Sequence, residues 1–489
     1  MLALMELRIV LRLWLSCKLF KQSSIEDLTM SKKMVSFIGD VLRRLIGRIV
    51  INPHKPLPMP LPTPWQWIEF RFFHGLIRRR IERDVDQTKS NYATQLIRIR
   101  EKIQSGKQVR VLFLVSEISK WKGKSLYFAL QQDSLFCPII GLTAPVRLWE
   151  REPYETDSKI KTNKLWFEER GYKCVELYDA LKDKFLPVAT INPDIVFYPE
   201  VWYMFNKHSP VKVSRFALTC YIPYFVPNYV ILAYDCCQYM HRLYWRHIVV
   251  NEDVASLYRD ATKDRAMAGD FVALGHPMID EIIAANDDVV ETQKARCVIY
   301  APHWTFDHPG NQTGLHYSTF VETGRSILDY AKKHKNLNWV FKPHPHLREQ
   351  LYLSGYMTKD EVDRYYNDWA DIGEVFDGAG YADLFARSRA MITDCGSFLS
   401  EYGSTGKPVI HLVSQKNEHV PPASIKKVYD TYYKVHNCSE MVDVFKMVLE
   451  DGLDPKYKAR NQSLLEARLI GVNSGRRVLA YLRSELCGK

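Results

Sequence analysis

The sequence predicts an α/β protein built from two consecutive parallel-sheet halves behind a basic, helical N-terminal region. Three observations lead there. Short apolar runs rich in β-branched residues alternate with helical periodicity from Val109 onward, and the same order restarts near Arg296. A strand buried on both faces reads as such a continuous run, and strands separated by helices imply a parallel sheet. The excess of positive charge lies outside both halves: residues 1–80 hold 14 Lys/Arg against 5 Asp/Glu, and the remainder 53 against 51.

At 489 residues, 46% hydrophobic and 25% charged, the chain has the composition of a multidomain globular protein. The net charge of +11 is concentrated near the N-terminus, which argues against a nucleic-acid protein with a basic cleft running through its body. The ten cysteines form no CxxC pair, and most lie in apolar or strand-like surroundings, so a reduced, cytoplasmic setting is expected. No run of about 18 apolar residues occurs, so no bilayer-spanning helix is expected.

Residues 1–105 are read as a basic amphipathic region. LALMELRIVLRLWLSCKLFK (2–21) and MVSFIGDVLRRLIGRIVI (34–51) interrupt apolar residues with arginine and lysine every few positions, as an interfacial helix requires. INPHKPLPMPLPTPW is an extended proline-rich connector, followed by WIEFRFFHGLIRRRIERDV. Charge inside the apolar stretch and the lack of a small-residue cleavage site speak against a cleaved signal peptide. The expected partner is an anionic membrane surface, where each Lys/Arg contributes roughly 1 kcal/mol. Peripheral attachment to the cytoplasmic face of the cell membrane follows. The alternative is a helical layer packed on the body or on another subunit.

The first half is expected over 106–290, with strands in VRVLFLV, FCPIIGLT, PDIVFYPE, VSRFALTCYIPY and DFVALGH and a helix in SLYFALQQ. The second, 291–489, holds strands in RCVIYAPHW, LNWVFKPHPH, RAMITD and KPVIHLV. Its helices lie in STFVETGRSILDYAKKH, YADLFARS and SFLSEYGSTG, with further helices at the C-terminus. Two Rossmann-like halves result, and such sheets bind ligands outside the carboxyl ends of their strands. The unusual residues fall there.

FKPHPHLRE (341–349) places Lys342, His344, His346 and Arg348 after a strand. A metal ligand set, a phosphate clamp and a solvated turn are all open. Two cations would repel a metal and attract a diphosphate, with imidazole as hydrogen-bond donor or general acid. In ITDCGSFLSEY (392–402) a strand ends at Asp394, Cys395 and Gly396 turn the chain, and Ser397 is expected to cap a helix starting at Phe398. Glu401, a turn further on, would reach sugar hydroxyls. YAPHWTFDHPG supplies His303, Asp307 and His308. In the first half CYIPYF and LGHPMID close strands, with Tyr221, Tyr224 and His276 as acceptor-side residues. The alternative for each is a structural or solvated residue.

YAPHW, FKPHPHLRE, YADLFARS and ITDCGSFLSEYGSTGKPVI, in that order and spacing, resemble the CDP-glycerol glycerophosphotransferase family, the teichoic acid primases and polymerases with relatives in capsule loci. The resemblance covers roughly Arg110 to Val413. It implies a GT-B architecture, attachment to the inner leaflet, and transfer of glycerol phosphate from CDP-glycerol to a polymer or lipid-linked acceptor. The donor would sit on the second half, with His344 near its phosphates, Ser397 after the ITD strand, and Glu401 on the ribose. Polymerising members carry a WHG-type histidine, the proposed base, at the end of a first-half strand. The corresponding place here is CYIPYF, without histidine. His303 or His276 is left as the base, and no metal or other cofactor is expected. Three alternatives stand beside this reading: a GT-B glycosyltransferase using a nucleotide-sugar, a non-catalytic membrane scaffold, and a metal hydrolase using His303, Asp307, His344 and His346.

Overall fold

The computed structural model describes residues 64–144, 153–200, 206–227, 239–261, 270–288, 297–308, 311, 315–378, 380–416 and 421–488. The membrane-attachment reading falls mainly on 1–63, outside the described residues. A long helix, α1 (Pro64–Gln104), leads into the body. Packing groups Arg80–Cys236 and Met240–Lys489 in one compact unit. Tyr92 and Ile99 are buried with the first-half core, and Arg98 and Lys102 both pair with the buried Asp194. Among the described residues no helix is long and apolar enough to cross a membrane.

The first half contains β1 (Val109–Val115), α2 (Lys124–Gln132), β2 (Phe136–Leu142), α3 (Pro153–Glu168) and β3 (Cys174–Glu176). A small antiparallel pair, β4 (Tyr178–Asp179) and β5 (Lys184–Phe185), follows. Then come β6 (Ile195–Tyr198), α4 (Pro210–Val213), β7 (Leu218–Tyr221), β8 (Arg246–Val249), α5 (Glu252–Ala261), β9 (Phe271–Ala273) and α6 (Pro277–Asp288). Seven parallel strands run in the order β3-β2-β1-β6-β7-β8-β9. Six of the seven residues of β1 are buried, and only Arg110 is exposed, as expected of a central strand covered on both faces.

The second half repeats the scheme with β10 (Cys297–Ala301), α7 (Phe320–Lys333), β11 (Trp339–Phe341), α8 (Leu347–Leu353), α9 (Lys359–Ala370) and β12 (Gly373–Val375). It continues through α10 (Ala382–Arg387), β13 (Ser388–Thr393), α11 (Gly396–Glu401), β14 (Val409–Leu412), α12 (Ala423–Tyr429) and β15 (Tyr433–Val435). The strand order is β12-β11-β10-β13-β14-β15, again all parallel. Helix α7 buries Phe320, Thr323, Gly324, Ile327, Leu328 and Ala331, one face at helical spacing. Each sheet reverses its order beside its first strand, between β1 and β6 and between β10 and β13. These are the two topological switch points, where crevices open at the carboxyl ends.

Helices α13 (Cys438–Phe445), α14 (Tyr457–Glu466) and α15 (Ser474–Cys487) complete the chain. The last belongs by packing to the first half, not the second. Val478, Leu482 and Leu486 are fully buried in the first-half core, on the order of 2 kcal/mol each. Asp280 in α6 fixes its start by accepting the Ser474 and Gly475 N–H groups at 2.9 and 2.8 Å. Gly475 is required there, because a Cβ would lie 2.6 Å from the Ser125 backbone. Helix α6 in turn packs against α10, and one core cluster mixes Met278, Ile279 and Ile282 with Tyr381, Phe385 and Leu399. The halves therefore interlock.

Candidate functional site

Three loops meet at the second-half switch point, after β10, β11 and β13. Backbone pairing sets their spacing: the His344 N–H donates to the Pro302 carbonyl at 3.0 Å, and the His303 N–H to Asp394 Oδ1 at 2.6 Å. Asp394 also accepts the Thr319 N–H at 2.7 Å and hydroxyl at 3.1 Å. Burial pushes its carboxyl up to about 7 against these donors. Asp394 thus acts as the strut of the histidine loop, rather than as a group offered to a ligand.

The histidines form one row. The His303 and His344 ring centroids lie 4.8 Å apart, His344 and His346 5.5 Å, and Trp304 lies 5.9 Å from His344. Backbone N–H groups meet both rings. Thr305 donates to His303 Nδ1 at 3.3 Å, and His346 to His344 Nδ1 at 3.2 Å. In neutral His344 the proton therefore sits on Nε2, which has no protein acceptor among the described residues, whereas His303 Nδ1 also lies 2.8 Å from the Thr305 hydroxyl, which either tautomer satisfies. Burial lowers both pKa values, that of His303 to about 3 and that of His344 well below the usual histidine range. Both rings are neutral at pH 7, and the His344 Nε2–H is suited to an oxyanion.

Lys342 is 7% exposed. Its ammonium lies 5.0 Å from the Phe376 ring, 5.1 Å from Tyr381 and 5.6 Å from Phe398, with no hydrogen-bond or ion-pair partner among the described residues. Burial, then the neighbouring Lys122, lower its pKa to about 8. Lys122 comes from the first half, in the loop after β1. It is 6% exposed, donates to the Tyr381 hydroxyl at 3.0 Å and lies 4.3 Å from the same ring. The Tyr381 hydroxyl donates to Glu401, whose other oxygen accepts the Val226 N–H at 3.3 Å. Two buried ammonium groups thus lie close to one tyrosine ring, with one carboxylate beside it. A buried cation without a partner is costly, and an anion between the halves relieves that cost.

The remaining expected residues fall elsewhere or in other roles. Glu401 is 1% exposed and held by Tyr381 and Val226, so its carboxylate clasps the two halves instead of lying open to a sugar. Ser397 does not cap the helix. The helix begins at Gly396 with Cys395 at its cap, because the Thr393 hydroxyl accepts the Cys395 N–H at 2.9 Å and tightens the turn earlier. Arg348 pairs with Asp363 at 2.7 Å and lies over the Tyr366 ring. His346 caps α8 by position and is exposed. Asp307 is paired with Lys416, and His308 lies against Phe306. Among the described residues, no three His, Cys, Asp or Glu are grouped to hold a metal ion.

In the first half, His276 has both nitrogens engaged by backbone. Nε2 meets the Pro223 carbonyl at 2.9 Å, and Nδ1 accepts the Met278 N–H at 3.2 Å. With its pKa lowered by burial to about 4, it pins the LGHP turn and has no lone pair to offer. Tyr221 is buried among His241, Tyr244 and His247. Tyr224 is partly exposed, and Lys120 lies 5.7 Å from its ring. Sequence reasoning passed over Lys122, Tyr381 and the Glu200–Lys120 pair. The usable signals were WKGKS in the loop after the first strand of its half and a glutamate ending PDIVFYPE.

Two interlocked Rossmann-like halves with a cationic, imidazole-lined crevice and a last helix returning to the first half define the GT-B architecture. No protein-family model and no curated protein matches the chain. Similar solved structures include S. aureus MnaA with UDP, at a TM-score of 0.48 and 16% identity over 78% of this chain and 97% of that one. The UDP-GlcNAc 2-epimerase of Neisseria meningitidis bound to UDP-GlcNAc gives 0.47 and 15%, over 77% and 99%. A variant of the wall teichoic acid polymerase TagF gives 0.44 and 10%, over 81% and 98%.

Proposed function

We propose that the chain is a transferase that moves glycerol phosphate from CDP-glycerol to a hydroxyl of a cell-surface polymer or its lipid-linked precursor, releasing CMP. The observation that carries this reading is the buried Lys342 ammonium, without an ion-pair partner among the described residues and, like that of Lys122, close to the Tyr381 ring, which calls for a polyanionic ligand between the halves. The motif resemblance supplies the donor class. In the reaction the acceptor oxygen attacks the glycerol-bearing phosphorus, and the bond from that phosphorus to the bridging oxygen breaks. CMP leaves with the electron pair. Lys342 and Lys122 neutralise the diphosphate, and the Nε2–H of His344 donates to an oxygen that gains charge, the largest contribution such a site can make. The lysines take the charge-neutralising role often filled by a metal, so the reaction is expected to proceed in EDTA. Residues 1–80 hold the enzyme on the anionic cytoplasmic leaflet, where a lipid-linked acceptor resides.

The test is CMP release from CDP-glycerol by the full chain, with and without a detergent-solubilised lipid-linked acceptor, in EDTA. Acceptor-dependent release is the expected result. Release from UDP- or CDP-sugars instead, with a glycosidic product, would transfer the assignment to a nucleotide-sugar glycosyltransferase. That second reading is favoured by one observation: the first-half position of the family's WHG histidine falls in CYIPYF, where Tyr221 is buried. Failure to bind CDP or UDP at all would leave the scaffold reading.

A further inference from the structure

Lys122 belongs to the first half by sequence and to the cationic crevice by position. Its loop is fixed by Trp121, whose ring packs edge-on against Phe113 and Phe167 in the first-half core at 5.5 and 5.7 Å and donates to the Tyr172 hydroxyl at 3.3 Å. A lysine ammonium rides on a flexible four-carbon stem, so an anchored backbone does not by itself fix it. Tyr381 of the second half supplies the further restraint. Its phenol has one proton, which goes to Glu401, so its oxygen is left to accept, and the Lys122 ammonium donates to it at 3.0 Å. The Tyr381 ring packs against Phe385 and Phe398, with centroids 4.8 and 5.1 Å away, so the hydroxyl stands on a fixed support. The phenol also stands between two opposite charges: among the described residues Lys122 and Glu401 form no direct ion pair, and each meets the tyrosine instead. The same ring has the Lys342 ammonium 5.1 Å from its centroid, against 4.3 Å for Lys122, a placement that stabilises desolvated cations without neutralising them.

We infer that Tyr381 is a positioning residue for the donor: its hydroxyl holds the Lys122 ammonium near Lys342 and apart from Glu401, so that a diphosphate meets free cations from both halves. The inference rests on the function proposed above, in taking the crevice as the seat of a nucleoside diphosphate. Tyr381 acts through Lys122 and not on the reacting atoms. Burial lowers the Lys122 pKa, and the Glu401 and Glu281 carboxylates oppose that shift, so the group that orients the phenol also favours the charged ammonium. Without the hydroxyl, the ammonium would turn to one of these carboxylates and be lost to the ligand. The Val226 N–H, which donates to Glu401 at 3.3 Å, keeps that carboxylate in place from the first half.

The test is a double-mutant cycle on the full-length chain, with CDP and UDP binding measured calorimetrically for the wild type, Tyr381→Phe, Lys122→Met and the double variant. Tyr381→Phe keeps the ring and its aromatic packing and removes only the hydroxyl. It should weaken CDP binding by roughly tenfold in the wild-type background and by less than about twofold in the Lys122→Met background. Additive losses overturn the assignment, because a tyrosine that only supports the fold weakens binding whether or not Lys122 is present. Unchanged affinity in Tyr381→Phe overturns it as well. Should Tyr381→Phe not fold, Glu401→Gln takes its place in the cycle, since one amide oxygen cannot accept from both Tyr381 and Val226. Its binding should weaken, and only where Lys122 is present. A glutamate acting purely as a charge would do the reverse, so tighter binding of the anion overturns the assignment. A wild type that binds UDP and not CDP refutes the proposed donor, and the UDP arm of the cycle then decides the role of Tyr381. A wild type that binds neither refutes the parent function and the positioning role together.

Discussion

The two halves share a strand order and differ in what they place at its reversal. The second half puts cations and neutral imidazoles there: Lys342, His303 and His344, with Asp394 buried as a strut. The first half puts a carboxylate there, Glu200, held by Lys120 and Ser116. The fold determines where ligands go, and the loop residues determine which charge they meet. The Lys122–Tyr381–Glu401 chain with the Val226 N–H joins the two halves. The two reversals thus differ in charge, with a buried ammonium that has no ion-pair partner in one and an ion-paired carboxylate in the other.

Substitutions can separate these roles. The largest effect should come from Asp394→Ala, which leaves the His303 N–H and both Thr319 donors buried without an acceptor. We expect a loss of about 3 kcal/mol or more in unfolding free energy by urea titration. A loss under 1 kcal/mol would mean that the loop does not depend on this strut. Next, His344→Ala should cut turnover by about 100-fold while CDP affinity changes little, because its Nε2–H serves the developing charge. An equal loss in affinity would instead mark a ground-state contact.

Lys122→Met should weaken CDP binding by roughly tenfold, the scale of one charge-assisted contact. No change would confine the donor to the second half. The pH dependence is a smaller effect. Burial lowers Lys342 to about 8, so it is a cation below that pH and neutral above it. CDP-glycerol affinity should fall several-fold between pH 7 and 9, and Lys342→Met should flatten the profile. A flat wild-type profile would remove Lys342 from the donor site. Arg348→Ala, lastly, should alter turnover less than twofold, because that side chain is exposed and paired with Asp363.

Much of the fold could be read in advance because its signals are local. Apolar runs matched the strands, and YAPHW, FKPHPH and ITDCGS do end at neighbouring strands β10, β11 and β13. Individual roles were less legible. Asp394 and Glu401 look like ligand-facing acids in a linear reading. In three dimensions one accepts backbone donors and the other bridges the halves. The same holds for His276, whose two nitrogens are taken up by residues 223 and 278. Lys122 lies more than two hundred residues from the tyrosine it binds, so no local pattern announces it.

The sequence by itself determined the two-half α/β architecture, the basic N-terminal region and the histidine- and lysine-bearing strand ends, because period, composition and charge are properties of short segments. Only the tertiary structure decided which nitrogen of His276 and His344 bears its proton, which lysine is buried without an ion-pair partner, and which carboxylates are structural. Those outcomes depend on burial and on hydrogen-bond donors contributed by residues remote in the chain, which local spacing does not encode.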